Sequence, residues 1–355
     1  MALELKEVTK KVGVNTHIKP TSLVLEPGFF NVLLGKTGSG KTSLIKLAAG
    51  LDPLASGQII MNGRDISKVS AQKRNISLVH QFFVNYPHMT VFDNIASPLR
   101  VAGMAKSEIE GRVEEAANIL QLGAMLNRRP DQLSGGQQQR CALARAIAKE
   151  SDAVFLDEPL ANLDYKLREE LREQLPELFA GRGAVVVYAT SEPEEALLLG
   201  GKTALMDDGR VTQFGVTADI YRSPANLASA QVFSDPPINY AKVEKKDNKI
   251  VMGNLAQWDV DQHTGNLADG IYTVAIRPNH VLPFKSDQAN VAVTGVVKVT
   301  ELSGSESSAH FEMDEVTWVS LAHGVHEFSI GTEHQFYMNS SNCFYFDTDG
   351  NVVGD

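Results

Sequence analysis

Apolar residues follow two different rhythms along this chain. Up to about residue 230, short continuous apolar runs alternate with stretches of helical period. Residues 3–8 read as a first strand, and residues 29–34 form an apolar run suited to a buried strand. Residues 43–49 read as a helix, with Gly50 where a helix would end. Residues 57–63 predict a strand closing on an Asn-Gly turn, and residues 76–80 a further strand that ends at Gln81. Over residues 106–122, Ile109, Val113, Ala116, Ala117 and Leu120 give the apolar face of an amphipathic helix. Ser134 can cap a helix continuing to about Ala148. Residues 153–156 are an apolar strand bounded by charges, residues 163–178 are helical, and the β-branched run in 184–189 suits a fully buried strand. Strands alternating with helices predict an α/β fold with a largely parallel sheet.

The rhythm changes near Pro236-Pro237. Beyond it come short alternating stretches at 291–300, 310–321 and 342–346, with turn signals at Asp269-Gly270 and Asp349-Gly350. No helical stretch is apparent there, and the pattern predicts a small β-barrel or sandwich. With 355 residues the chain is too long for one compact core, so we expect two domains, 1–235 and 236–355.

Charge sharpens that division. Residues 236–355 carry 7 Lys and Arg against 16 Asp and Glu, nearly all of the net charge of −10. An acidic tail domain argues against nucleic acid as a partner, because phosphate neutralisation dominates such binding. The first residues lack the basic start and apolar core of a secretion signal, and no apolar run reaches transmembrane length. The two cysteines, Cys141 and Cys343, lie far apart, and Cys141 falls inside an apolar helical pattern. Together these features predict a cytosolic chain without a disulfide framework.

The strongest chemical signal is Gly35-Lys36-Thr37-Gly38-Ser39-Gly40-Lys41-Thr42, followed by Ser43. It fits the phosphate-binding loop pattern and lies between the strand at 29–34 and the helix at 43–49. Glycines let backbone N–H groups converge on phosphate oxygens, and a helix N-terminus adds unpaired donors. Lys41 would neutralise the β- and γ-phosphates and the Thr42 hydroxyl would hold Mg²⁺. Asp157-Glu158 ends the strand at 153–156. A carboxylate at that place suits Mg²⁺ coordination by Asp157, and Glu158 could polarise an attacking water.

Leu133-Ser134-Gly135-Gly136-Gln137-Gln138-Gln139-Arg140 is the most specific stretch. On it the chain resembles the ATP-binding cassette (ABC) family, over residues 3 to about 230 and less sharply beyond. Gln81 matches the family's glutamine that senses Mg²⁺ and the attacking water. Ala161-Asn162-Leu163-Asp164 resembles the loop that crosses its dimer interface. The resemblance implies a P-loop NTPase domain with a helical subdomain, and ATP and Mg²⁺ as cofactors. It also implies two such domains closing head to tail. The glycine loop, Asp157, Glu158 and Gln81 would then act on one nucleotide, while Ser134 and Gly136 of the other chain contact its γ-phosphate.

Residues 133–144 and 158–168 resemble the sugar-importer branch, whose members carry a C-terminal OB-type regulatory domain. Ala275-Ile276-Arg277-Pro278-Asn279-His280-Val281 and Glu301-Leu302-Ser303-Gly304-Ser305-Glu306 resemble segments of that domain. The resemblance implies uptake of a sugar or polyol. Transmembrane permease subunits, a second ATPase chain and, indirectly, an external solute-binding protein are the implied partners. The implied location is the inner face of the cell membrane. Residues 82–89, after Gln81, would face the membrane subunits, or pack in the core.

Two departures stand out. The family usually has an aromatic near Val12 to stack on adenine, and here the sequence is Lys10-Lys11-Val12-Gly13. Where the family usually has a histidine reaching the γ-phosphate stands Ser191, which is shorter and carries no charge. The Ser191 variant resembles importers that pair two different ATPase chains, including those associated with glycerol uptake, so a heterodimer is expected over a homodimer and glycerol or glycerol phosphate is the narrower solute expectation. His323 and His326 are a locally close pair to weigh as metal ligands, against scattered surface histidines. A P-loop kinase would leave the Ser134 stretch unexplained. ABC proteins acting on DNA or ribosomes carry coiled coils or a duplicated cassette, and neither pattern occurs here.

Overall fold

The computed structural model describes residues 2–354 apart from Asn162, Ala180, Arg182, Gln262, His263, Asn290 and Glu315. Its contacts divide the chain into two compact units, Met1–Ile220 and Tyr221–Asp355.

The first unit opens on two long antiparallel strands, β1 (Leu3–Val12) and β2 (Asn15–Leu25), paired from Leu3↔Leu25 to Val12↔Asn15. β3 (Phe30–Leu34) leads through the glycine loop into α1 (Lys41–Ala49), which is capped by Gly50. β4 (Ser56–Met61) and β5 (Arg64–Asp65) complete a four-stranded sheet in the order β2-β1-β4-β5. β6 (Ile76–Val79) precedes three helices: α2 (Val91–Val101), α3 (Lys106–Ile119) and α4 (Gly135–Ala148). Then come β7 (Ala153–Asp157), α5 (Tyr165–Phe179), β8 (Val185–Thr190), α6 (Pro193–Leu199), β9 (Lys202–Asp207), β10 (Arg210–Val216) and α7 (Thr217–Arg222). The second sheet runs β10-β9-β3-β8-β7-β6, parallel except for the β9–β10 pair.

Local chemistry accounts for these elements. Every residue of β7 and of β8 is buried, as a parallel strand covered on both faces requires. Leu44, Ile45, Leu47 and Ala48 of α1 share one buried cluster with Leu3 and Ile59 from one sheet and Leu33, Phe155 and Val187 from the other. In α3 the buried residues are Ile109, Val113, Ala116 and Ala117, the stripe that the periodicity predicts. α2 has no such clean reading, because Pro98 lies inside it. Thr90 starts α2 by accepting from the Asp93 amide at 3.1 Å. Cys141 of α4 is fully buried, and that burial pushes its thiol up to about 11.

The second unit begins with the end of α7 and α8 (Leu227–Val232), and beyond that the described residues are strands and single 3₁₀ turns. One antiparallel sheet is built from β11 (Asn239–Lys246), β12 (Lys249–Met252), β13 (Ala256–Asp259) and β14 (Gly270–Ile276). The other contains β15 (Val281–Leu282), β16 (Val291–Leu302), β17 (Glu306–Met313), β18 (Val316–His323) and β19 (Glu333–Met338). β20 (Phe344–Phe346) and β21 (Val352–Val353) return to the edge of the first. β11 alternates buried and exposed residues along its length, the period of a half-covered strand. Val243, Trp258, Val274, Phe311, Trp318 and Phe336 meet in its core, where the Phe311 and Phe336 rings stack at 4.0 Å. The stretch at 310–321, read above as one, is two strands that reverse beside Asp314. That residue takes φ of 50°, which aspartate tolerates without a glycine to announce the turn.

Among the described residues no helix is long and apolar enough to cross a membrane. Phe155 is fully buried in β7, two residues before Asp157. Phe155→Ala should lower the stability of the α/β unit by about 3–5 kcal/mol, measured by urea denaturation; a loss below about 1 kcal/mol would show that this core collapses around the gap.

Candidate functional site

The site is assembled where β3, β7 and β8 end together. Leu34 lies beside Thr190, and Asp157 beside Ala189. The chain leaves β3 at Gly35, whose amide donates to Thr190 O at 3.3 Å. A Cβ at Gly35 would collide with Met206 O and lie 2.5 Å from Ser39 Oγ, so a side chain has no room there. Lys36, Thr37 and Gly38 are exposed, whereas Ser39 and Lys41 are buried. Gly40 precedes α1 without a side-chain cap, so the first-turn N–H groups of Lys41, Thr42 and Ser43 are not taken up by a capping side chain.

Lys41 Nζ donates to Gly35 O at 2.6 Å and Lys36 O at 3.2 Å, and pairs with Glu158 Oε1 at 3.4 Å. Burial pushes the Lys41 ammonium below the usual lysine range, against the opposing pull of Glu158 and Asp157. The Thr42 hydroxyl donates to Asp157 Oδ1 at 3.0 Å. Asp157 is 1 % exposed, and burial raises its carboxyl above the usual range, although the Thr42 bond works the other way. Glu158 adopts φ of 48° and is held by its amide on Ala189 O at 3.0 Å, while Gln81 Nε2 donates to Glu158 Oε2 at 3.1 Å. The structure thus pairs Thr42 with Asp157 and links Lys41, Glu158 and Gln81, the two sets joined by the adjacent residues 41–42 and 157–158.

This constellation fits a polyphosphate with a divalent cation. The Ser39 hydroxyl is buried in the loop without a hydrogen-bond partner, a donor awaiting an acceptor. The Thr42 hydroxyl and the buried Asp157 carboxylate converge, two oxygen donors of the kind Mg²⁺ takes.

Ser134, Gly135, Gly136 and Gln137 are arranged otherwise. Ser134 Oγ accepts from the Gln137 amide at 3.4 Å and Gln137 Oε1 accepts from the Ser134 amide at 3.0 Å, a capping box at the start of α4. Ser134 and Gly135 are exposed, and no Cβ would meet an obstacle at Gly135. Their hydrogen bonds close within the motif and do not reach residues 35–43. From α4, Gln139 Nε2 donates to Pro159 O, next to Glu158. Of the stretch 161–164, Asn162 lies outside the described residues.

Ser191 is exposed just beyond β8. The residues around it are firmly tied. Buried Glu195 accepts from the Thr190 hydroxyl at 2.6 Å and the Tyr188 hydroxyl at 2.9 Å. Arg168 of α5 donates to Glu192 at 2.8 Å and to Ala161 O at 3.1 Å, so one guanidinium spans both loops. Val12 is 57 % exposed at the tip of the β1–β2 hairpin. His323 lies 3.4 Å from Glu306, and His326 Nε2 lies 2.9 Å from His323 O. Among the described residues no group of three or more His, Cys, Asp or Glu could hold a metal ion.

Pattern reasoning missed His17. It sits on β2 with Nε2 2.9 Å from Ser43 Oγ. Lys10 of β1 reaches the same hydroxyl at 3.4 Å and pairs with Asp52 at 2.5 Å. Only a reading of residues 15–25 as a strand folded back over the loop would have found them.

The ABC transporter family model matches residues 18–161. The spermidine/putrescine import ATP-binding protein PotA of Aggregatibacter actinomycetemcomitans is 37 % identical over 88 % of this chain and 86 % of its own length. The sn-glycerol-3-phosphate import ATP-binding protein UgpC of Cupriavidus pinatubonensis is 36 % identical over 87 % of each chain. The maltose/maltodextrin import ATP-binding protein MalK of Mannheimia succiniciproducens is 32 % identical over 98 % of this chain and 96 % of its own. A dimeric ATP-binding cassette solved in a post-hydrolysis state with ADP and phosphate superposes with a TM-score of 0.56 at 29 % identity. The match covers 61 % of this chain and 98 % of that one.

Ser134→Ala should cost about 1 kcal/mol and Ser134→Gly only a few tenths. Hydrogen exchange at the Gln137 amide should quicken most in the alanine variant; equal exchange in both variants and the parent would mean that the cap does not hold this helix start.

Proposed function

This chain belongs to the ABC transporter ATP-binding subunits, and we propose that it is the one that powers import of a sugar or polyol through separate membrane-spanning subunits. It is an ATP hydrolase, and its family uses ATP with Mg²⁺. The observation that carries the reading is the linked cluster of Lys41, Thr42, Asp157, Glu158 and Gln81 at the strand ends.

In this reading the first-turn amides of Lys41, Thr42 and Ser43, the Ser39 hydroxyl and the Lys41 ammonium bind and neutralise the phosphate chain. Mg²⁺, held by Thr42, Asp157 and Gln81, would add positive charge at the phosphate oxygens. Glu158 orients and polarises water and receives its proton, while Gln81 keeps that carboxylate in place. The exposed start of α4, from Ser134 to Gln137, contacts a nucleotide held by a second cassette chain. That the solved relative is a dimer supports such a pairing.

A groove of about 290 Å³ is lined by Tyr86, Pro98, Val101 and Arg145, and Arg145 donates to the carbonyl of exposed Val84 at 2.6 Å. It suits a helix end of a permease subunit, and with family membership it supports a place at the cytoplasmic face of the membrane. The acidic β unit, with residues 275–281 and 301–306 on its strands and turns, is the candidate OB-type regulatory domain, carried on a cassette that ends by about residue 235. Glycerol or glycerol phosphate is the narrower solute reading, supported by the UgpC relatives; PotA and MalK serve other solutes, and an external binding protein would supply the choice.

Glu158→Gln should keep MgATP binding but cut hydrolysis by about 10²–10⁴-fold, trapping a closed pair; normal turnover in the assembled transporter would remove Glu158 from the role. Ser191 leaves this chain's own site without a charge-capable group at that point, which favours a different partner cassette and unequal sites. Native mass spectrometry of the assembly should find one copy of this chain with one related chain, and Ser191→His should raise turnover. Two identical copies would overturn the heterodimer.

A further inference from the structure

A nucleotide on residues 35–42 has one end set by the site itself. Asp157, Glu158 and Gln81 gather at Thr42, where the terminal phosphate reacts, and the sugar and base are taken to leave past the next residue of α1, Ser43. Among the described residues, the side chains of Lys10 and His17 reach the Ser43 hydroxyl. Lys10 is already bound to Asp52 at 2.5 Å. His17 is exposed, its ring held at one edge by the 2.9 Å contact of Nε2 with Ser43 Oγ.

The backbone under His17 is locked to the phosphate loop. Lys19 N donates to Gly209 O at 2.9 Å, and Gly209 N donates to Ser39 O at 3.0 Å. Gly209 has φ of 72° and no space for a Cβ against His17 O. Ile18 is fully buried, with Cδ1 2.7 Å from where a Cβ of Gly40 would stand. The imidazole is therefore carried at a fixed offset from the loop that holds the phosphates. Val12 and Val14, at the hairpin tip, are exposed but have no ring to offer a base.

We propose that His17 is the platform on which the base of the bound nucleotide stacks, standing in for the ring that Val12 lacks. The proposal rests on the reading of residues 35–42 as the ATP site. A base offers a π-face whatever its edge pattern, and a ring pinned by Ser43 loses little freedom on meeting it. His17 on this account is a positioning residue for the nucleotide and touches none of the atoms that react.

The test compares MgATP with magnesium tripolyphosphate, which has the phosphates but no base, by calorimetric titration of the full chain. His17→Ala should weaken MgATP by about 10-fold and leave tripolyphosphate unchanged, and His17→Phe should restore MgATP. Unchanged MgATP affinity in His17→Ala overturns the proposal while the ATP site stands. Equal weakening of both ligands also overturns it, and assigns His17 to holding Ser43. His17→Phe as weak as His17→Ala overturns it too, because the hydrogen bond and not the ring face would then matter. A parent chain that binds neither ligand removes the ATP reading and this inference with it.

Discussion

Everything in the α/β unit depends on keeping charge at the closed end of a parallel sheet. Asp157 is fully enclosed, Lys41 nearly so, and Glu158 largely. Charges taken out of water are costly unless each is paired and hydrogen-bonded. Thr42 serves Asp157, Glu158 and two carbonyls serve Lys41, and Gln81 serves Glu158. No partner comes from the same element as the group it serves, except that Lys41 is also satisfied by its own loop. The strand order β3-β8-β7-β6 places these contributors side by side, so the register of four strands becomes the geometry of one electrostatic cluster.

A second polar network fixes the neighbouring loop. Glu195 is buried and its carboxyl lies above the usual range because of that burial, yet it accepts from Tyr188 and Thr190 and lies 3.7 Å from Arg172. Arg172 also pairs with Glu169 at 3.0 Å. With Arg168 bridging Ala161 and Glu192, α5 holds both the loop after β7 and the loop after β8. The ties on Thr190, Glu192 and Glu195 hold the backbone on both sides of exposed Ser191, where the choice of side chain sets what it can reach.

Much of this was legible in the sequence, for identifiable reasons. The strands at β3, β7 and β8 announce themselves because burial on both faces leaves near-continuous apolar runs. The glycine loop, the Ser134 cap and the α3 stripe are local signals of spacing and capping. What stayed hidden depends on contacts distant in sequence. β2 is too polar on its outer face to read as a strand, so His17 had no visible relation to Ser43. α2 carries Pro98 and a short apolar face. Asp314 turns the chain without a glycine, and the β17–β18 hairpin therefore reads as one stretch.

Cys141 gives this architecture a built-in stopwatch. Its thiol lies in the middle of α4, the helix whose first turn presents Ser134 and Gly136, and at neutral pH it is enclosed and protonated. An alkylating reagent can reach it only during the moments when that helix lifts from its neighbours or unravels. The speed of labelling therefore counts those moments, and a ligand or partner that clamps the start of α4 would slow the count without touching the sulfur.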